Sequence, residues 1–158
     1  MAIDLLANHR GHLPLVAAWF VAEWPDWYGD GGPGDAAADV AAFSTSPDAL
    51  PLGVIAFEHG EPVGVAALKA DSVASHRHLT PWAVAGYVVP HRRGAGIGTQ
   101  LLAALRSHAE RLGYAHVYCA TSTAGPLLQR QGWMPVNMCD DEAGPLTVFV
   151  QHLSARKH

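Results

Sequence analysis

The stretch Val88-Val89-Pro90-His91-Arg92-Arg93-Gly94-Ala95-Gly96-Ile97-Gly98 places three glycines at alternate positions behind two arginines, and an apolar-periodic run from Thr99 to Leu112 follows at once. Glycines let a backbone take positive φ and bring its N–H groups close to a ligand. A helix starting there adds roughly half a positive charge at its N-terminus. Phosphate or pyrophosphate is the natural occupant of such a turn. Spacing narrows the choice. A dinucleotide fingerprint asks for a third small residue three places after Gly96, where Thr99 stands, and a P-loop asks for a lysine, of which there is none between Lys69 and Lys157. A turn that merely joined a strand to a helix would use one or two glycines.

The pattern that fits is Arg-x-x-Gly-x-Gly, as Arg93, Gly96 and Gly98. Val88-Val89-Pro90 precedes it, Gly98-x-x-Leu101-Leu102 follows, and Ala124-x-x-x-Leu128-x-x-x-Gly132-Trp133 comes later. On these residues the chain resembles the GCN5-related N-acetyltransferase (GNAT) family, whose acetyl-CoA signature has this form. The resemblance implies acetyl-CoA as acyl donor, its pyrophosphate on the N–H groups of Arg93, Gly94, Ala95, Gly96, Ile97, Gly98 and Thr99. Arg92 or His91 would be available to an adenosine phosphate. It also implies a pantetheine chain paired with the backbone of Tyr87, Val88 and Val89, with the Val88 N–H as oxyanion donor. The family's usual tyrosine acid falls at Leu128 and its frequent asparagine at Thr121, so these two positions border the cofactor without that chemistry. Tyr118 or Tyr87 stand in as acids, or the thiolate leaves unaided, since a thiol with pKa of about 8.5 is a tolerable leaving group. Glu23 and His78 are the candidate bases.

The remaining chemistry is sparse. His76-x-His78 shares one face of an extended segment but has no clear third ligand, so no metal is expected. Cys119 and Cys139 lack any ligand or CxxC spacing and read as buried thiols of a reducing compartment. A net charge of −4 with scattered basic residues argues against nucleic acid. The opening MAIDLLANHRGH has no basic n-region, and no apolar run reaches the ~20 residues that span a bilayer, which points to a cytoplasmic protein without a membrane partner.

These groups need a scaffold, and 158 residues suffice for one domain over 1–158. Leu13 to Trp24 is an apolar helix with Leu15, Trp19 and Ala22 on one face, ended by Pro25. The aromatic Trp24-Pro25-Asp26-Trp27-Tyr28 cluster and a glycine-rich loop at 29–34, expected to be mobile, follow. The resemblance implies that this region lies beside the acceptor, so the cluster reads equally as a substrate-facing flap or as core. Asp35 caps a helix over Ala36 to Phe43. Strands are predicted at 52–59 and 62–69 around a His59-Gly60-Glu61 turn, with Gly64 marking a bulge or close contact, and at 82–89 after a polar loop over 71–78. The helix from Thr99 to Leu112 presents Leu102, Leu105, Ala109 and Leu112 on one stripe, with Leu101 beside it. A parallel crossover strand at 115–120 and a short helix at 124–131 come next. Strands at 133–138 and 146–152 around a turn at 140–145 close the chain. The fold class is α/β: as the resemblance implies, a mixed, mostly antiparallel central sheet with a parallel, splayed strand pair, flanked by helices on both faces.

Taken together, the residues and the resemblance imply acetyl transfer from acetyl-CoA to the primary amine of a small molecule by direct attack on the thioester. The acidic balance and the Trp24–Asp35 flap favour a cationic acceptor, such as a polyamine or an aminoglycoside-like compound. Leu128 motivates a second reading, a CoA-binding regulatory or sensor module with little turnover. Acetylation of a protein or peptide amine is a third. The resemblance also allows a homodimer through the C-terminal strands.

Overall fold

The computed structural model describes residues 1–72, 74–76, 78–141 and 144–153. Its strands are β1 (Ala2–Leu5), β2 (Leu52–Glu58), β3 (Glu61–Lys69), β4 (Trp82–Val88), β5 (His116–Thr121), β6 (Met134–Asp141) and β7 (Gly144–His152). They form one sheet in the order β1-β2-β3-β4-β5-β7-β6, antiparallel throughout except for the parallel pair β4–β5. The helices are α1 (Leu13–Glu23), α2 (Pro25–Tyr28), α3 (Ala36–Phe43), α4 (Ile97–Arg111) and α5 (Gly125–Arg130).

Two glycines show how the layers sit. A Cβ on Gly64 of β3 would come within 3.0 Å of Leu101 and of the Tyr87 carbonyl, so its absence lets α4 approach this face. A Cβ on Gly53 of β2 would stand 3.1 Å from Phe43 of α3 on the other face. Helix α4 therefore covers one side of the sheet, and α1 and α3 cover the other. The β2–β3 turn uses His59 at φ 51° and Gly60 at φ 80°, the two left-handed residues that a tight hairpin matching strand twist requires.

Several expectations need correction. β1 has only four residues and runs straight into a 3-10 turn, so its alternation is too short to read; β2 alone makes it a strand. Pro25 does not end the helical path. Trp24 breaks α1 at φ −125°, and Pro25 opens α2, where its missing N–H costs nothing. Leu15 and Val21 of α1 are exposed, and Val16, Trp19 and Phe20 face the core. Helix α4 begins at Ile97 because Gly96 is its N-cap, and its buried stripe is Ile97, Leu101, Leu105 and Ala109, with Leu102 and Leu112 only partly covered. Strands β6 and β7 extend through Asp141 and from Gly144, so the turn between them is shorter than the expected 140–145; residues 142 and 143 lie outside the described residues, as do 73 and 77 of the 71–78 loop. In the glycine-rich loop at 29–34, Gly32 N–H bonds the Gly29 carbonyl at 2.9 Å and Gly34 N–H the Trp27 carbonyl at 2.8 Å. Trp24 and Tyr28 pack their rings on Phe20, and of the cluster's three aromatic rings only Trp27 is exposed. No described helix is long and apolar enough to cross a membrane.

Candidate active site

The site begins where the sheet opens. β4 and β5 share a single register pair, Trp82 with Tyr118, and the Tyr118 N–H bonds the Pro81 carbonyl at 2.9 Å. Beyond that point β4 runs to Val88 and β5 to Thr121 with no further pairing between them. A bulge supplies the cause. The β3–β4 register slips between Val65 and Ala67, and Ala85 holds φ 57°, a left-handed conformation that costs an alanine about 1 kcal/mol. The extra residue bends β4 and turns its end away from β5. Val89 donates its N–H back to the Val63 carbonyl at 2.9 Å, so by strand alternation the N–H and C=O of Val88 point into the opening.

The glycine loop stands at the mouth. Gly94 and Gly96 take φ 82° and 87°, and Gly96 caps α4 without any side-chain hydrogen bond. The first-turn N–H groups of α4 therefore have no capping acceptor, and the helix dipole converges on the same spot. Both arginines are engaged by carboxylates. Arg92 reaches Glu58 Oε1 through Nε and Nη2, each at 2.6 Å. Arg93 donates through Nε to the Val88 carbonyl at 2.7 Å and through Nη2 to Glu23 Oε2 at 2.8 Å, with its guanidinium 5.4 Å from the Tyr87 ring centroid. Tyr87 in turn stacks on Trp19 of α1 at 5.2 Å. These partly exposed bridges contribute little stability individually, but they fix the loop against β2, β4 and α1. What the loop offers an anion is main-chain N–H.

The sequence candidates divide accordingly. Tyr87, Val88, Val89, the segment Arg93 to Thr99 and Glu23 come together at the opening, although Glu23 serves there as the partner of Arg93. His78 and Tyr118 do not join them. Tyr118 lies opposite Trp82, at the paired end of β4, and His78 lines a pocket there. Thr121 accepts from Thr123 N–H at 3.2 Å and Ala124 N–H at 3.0 Å, so it shapes the turn into α5. Leu128 on α5 is 1% exposed, within the core. Burial also pushes the Cys119 thiol up to about 12, which leaves it protonated and non-nucleophilic at neutral pH. Among the described residues no group of three or more His, Cys, Asp or Glu side chains is arranged to hold a metal. Sequence reasoning missed Trp19 and the clamp made by Glu23 and Arg93; both depend on α1 crossing the end of β4, for which a chain pattern carries no signal.

The packing of Leu128 has a direct consequence. Leu128→Tyr would insert a ring and a hydroxyl into a filled site, and an expected loss of about 1–3 kcal/mol in urea unfolding follows. Stability unchanged from wild type would mean that the α5 site has room for a tyrosine.

A splayed parallel strand pair with a glycine-rich helix N-terminus at its mouth defines a class of phosphate-binding α/β folds that hold an extended ligand between two strands. Residues 14–133 match the model of the acetyltransferase (GNAT) family, and the chain belongs to that family. No curated protein sequence matches the chain. Solved structures share its fold at low identity. An aminoglycoside 6'-N-acetyltransferase complexed with coenzyme A matches with TM-score 0.80 and 17% identity over 100% of both chains. The Salmonella typhimurium protein yncA, solved with its cofactor acetyl-CoA, matches with TM-score 0.74 and 16% identity over 100% of this chain and 96% of that one. A ribosomal-protein-alanine N-acetyltransferase from Brucella melitensis matches with TM-score 0.74 and 18% identity over 97% and 100%.

Proposed function

We propose that this chain is an N-acetyltransferase that moves the acetyl group of acetyl-CoA to the primary amine of a small molecule. The observation that carries the reading is the uncapped N-terminus of α4 beside the unpaired end of β4. Pyrophosphate would rest on the N–H groups of Arg93 to Thr99, and the amides of the pantetheine arm would pair with the Val88 edge. The Val88 carbonyl can keep Arg93 and still accept a second bond, because a carbonyl oxygen has two lone pairs.

The amine must arrive neutral. Its nitrogen lone pair attacks the acetyl carbon, charge develops on the carbonyl oxygen, and the Val88 N–H stabilises that charge from a preorganised position. The C–S bond then breaks, the thiolate carries away the electron pair, and the amine proton passes to water. No side-chain acid is required at the buried Leu128. Glu23 acts through Arg93, holding the guanidinium on the Val88 carbonyl and so fixing the donor N–H. Trp24, Trp27 and Tyr28 border the same end of α1.

Calorimetric titration of acetyl-CoA and desulfo-CoA, followed by CoA-thiol release across a panel of amines, tests this. Micromolar binding with thiol release on adding an amine is the expected result. Binding without release from any small amine or peptide would assign the chain to the regulatory reading that the buried Leu128 favours. Absence of binding to either nucleotide would overturn the donor assignment.

A further inference from the structure

The face of β5 and β7 opposite α4 carries a cavity of about 500 Å³ that the donor site does not use. The bulge keeps Trp82 and Tyr87 on the α1 side of β4, and the Tyr118 ring lies tilted against Trp82 at 5.6 Å, so this cavity opens on the α1 side of the sheet, away from α4. The donor loop stands beyond the open end of β4, and the cavity lies at its paired end on the other face of the sheet. Along β5 the cavity wall runs from His116, level with His152, to Tyr118, and His116 lies five residues from Thr121 at the open end, about 16 Å at roughly 3.3 Å per residue.

Its polar lining is distinctive. His76, His78, His116 and His152 surround it with Tyr118 and Asn137, and no carboxylate or ammonium is among the described lining residues. His116 and His152 are register partners on adjacent strands, their rings edge to face at 4.8 Å. His76 bonds Ser75 Oγ at 2.7 Å, whereas neither His116 nor His152 has a side-chain hydrogen bond among the described residues. Two imidazoles with unspent N–H donors, a phenol and an amide suit an oxygen anion. No described lining side chain carries a negative charge to pair with a polycation.

We infer that this histidine-lined cavity binds a carboxylate or phosphate group of the acceptor, so that the amine acetylated belongs to a molecule that also carries an anionic group. The inference rests on the proposed acetyl transfer and replaces the cationic acceptor that the chain's net charge favoured. Of the flap's carboxylates, Asp35 caps α3 by accepting from Ala38 N–H, and Asp26 and Asp30 are exposed.

The test uses matched acceptors: ω-amino carboxylates of graded length, the corresponding ω-aminoalkyl phosphates, and the primary amides of the carboxylates, each assayed with wild type and with His152→Ala. His152 is exposed, so its loss should leave the fold and the affinity for acetyl-CoA unchanged. One of the two anionic series should show a KM about tenfold below that of the amides, and His152→Ala should erase the difference. Equal KM values for acids and amides, or a variant that raises both alike, would overturn the inference. If calorimetry shows no nucleotide binding or no amine is turned over, imidazole NMR with inorganic phosphate and glutarate decides separately. Saturable shifts confined to the His116 and His152 rings uphold an anion site even where the acetyltransferase reading fails. Absence of saturation removes it.

Discussion

Gly96→Glu is expected to abolish measurable acetyl-CoA binding while the protein stays folded, a loss in calorimetric affinity of at least about a hundredfold, or ~2.7 kcal/mol. The two halves of this outcome have separate causes. Gly96 sits at φ 87°, so any side chain adds roughly 1–2 kcal/mol of backbone strain. A Cβ there meets nothing within 4 Å, so no clash is added. A carboxylate at the start of α4 also interacts favourably with the helix dipole, which offsets part of the strain. That same carboxylate sits where the pyrophosphate must go, competing for the uncapped N–H groups and repelling the incoming charge. Gly96→Ala carries the strain without the charge and should weaken binding far less. Wild-type affinity in the glutamate variant would remove the phosphate-loop assignment.

Trp82→Ala should cost about 3–5 kcal/mol in urea unfolding, enough to consume much of a typical stability of ~5–15 kcal/mol. Trp82 is fully buried, its Nε1–H donates to the Leu79 carbonyl at 2.7 Å, and it packs with Val148, Val84, Tyr118 and Ala120 in a cluster separate from the main core. It also forms the only register pair between β4 and β5. Truncation would remove indole contacts, leave the Leu79 carbonyl without that donor, and loosen the point from which the two strands diverge. Trp82→Phe keeps most of the contacts and should cost markedly less. A loss below about 1 kcal/mol for the alanine variant would show that the strand junction does not depend on this side chain.

Legibility in the sequence followed the range over which each signal acts. The glycine turn, the capping Asp35, the His59–Gly60 hairpin and the period of α4 are local, and each was readable within about ten residues. The helix itself starts at Ile97, two positions before Thr99, with Gly96 at positive φ as its N-cap, and its buried stripe therefore also takes in Ile97. What could not be read depends on partners far apart in the chain. β1 is a strand only because β2 lies beside it, and Ala85 takes a left-handed conformation only because β3 and β4 differ by one residue across the bulge. Likewise the bond of Glu23 to Arg93, seventy positions away, has no signal in the chain pattern. The histidines were the hardest case. His76 and His78 drew notice as neighbours, while the pair that meets across strands is His116 with His152, which only the β5–β7 register brings together.

The opening between β4 and β5 gives this sheet an edge in its interior, in addition to the outer edges at β1 and β6. An outer strand edge invites any passing chain and must be guarded, whereas this inner one is walled by α4 on one side and α1 on the other. Recognition at such an edge is written in main-chain atoms, which are the same whatever side chains they carry. Half of the chemistry proposed for this chain is therefore insulated from mutational drift, provided that the bulge and the glycine turn keep their shapes. Drift in the walls and pockets around that edge can then re-aim the same donor machinery at a new acceptor.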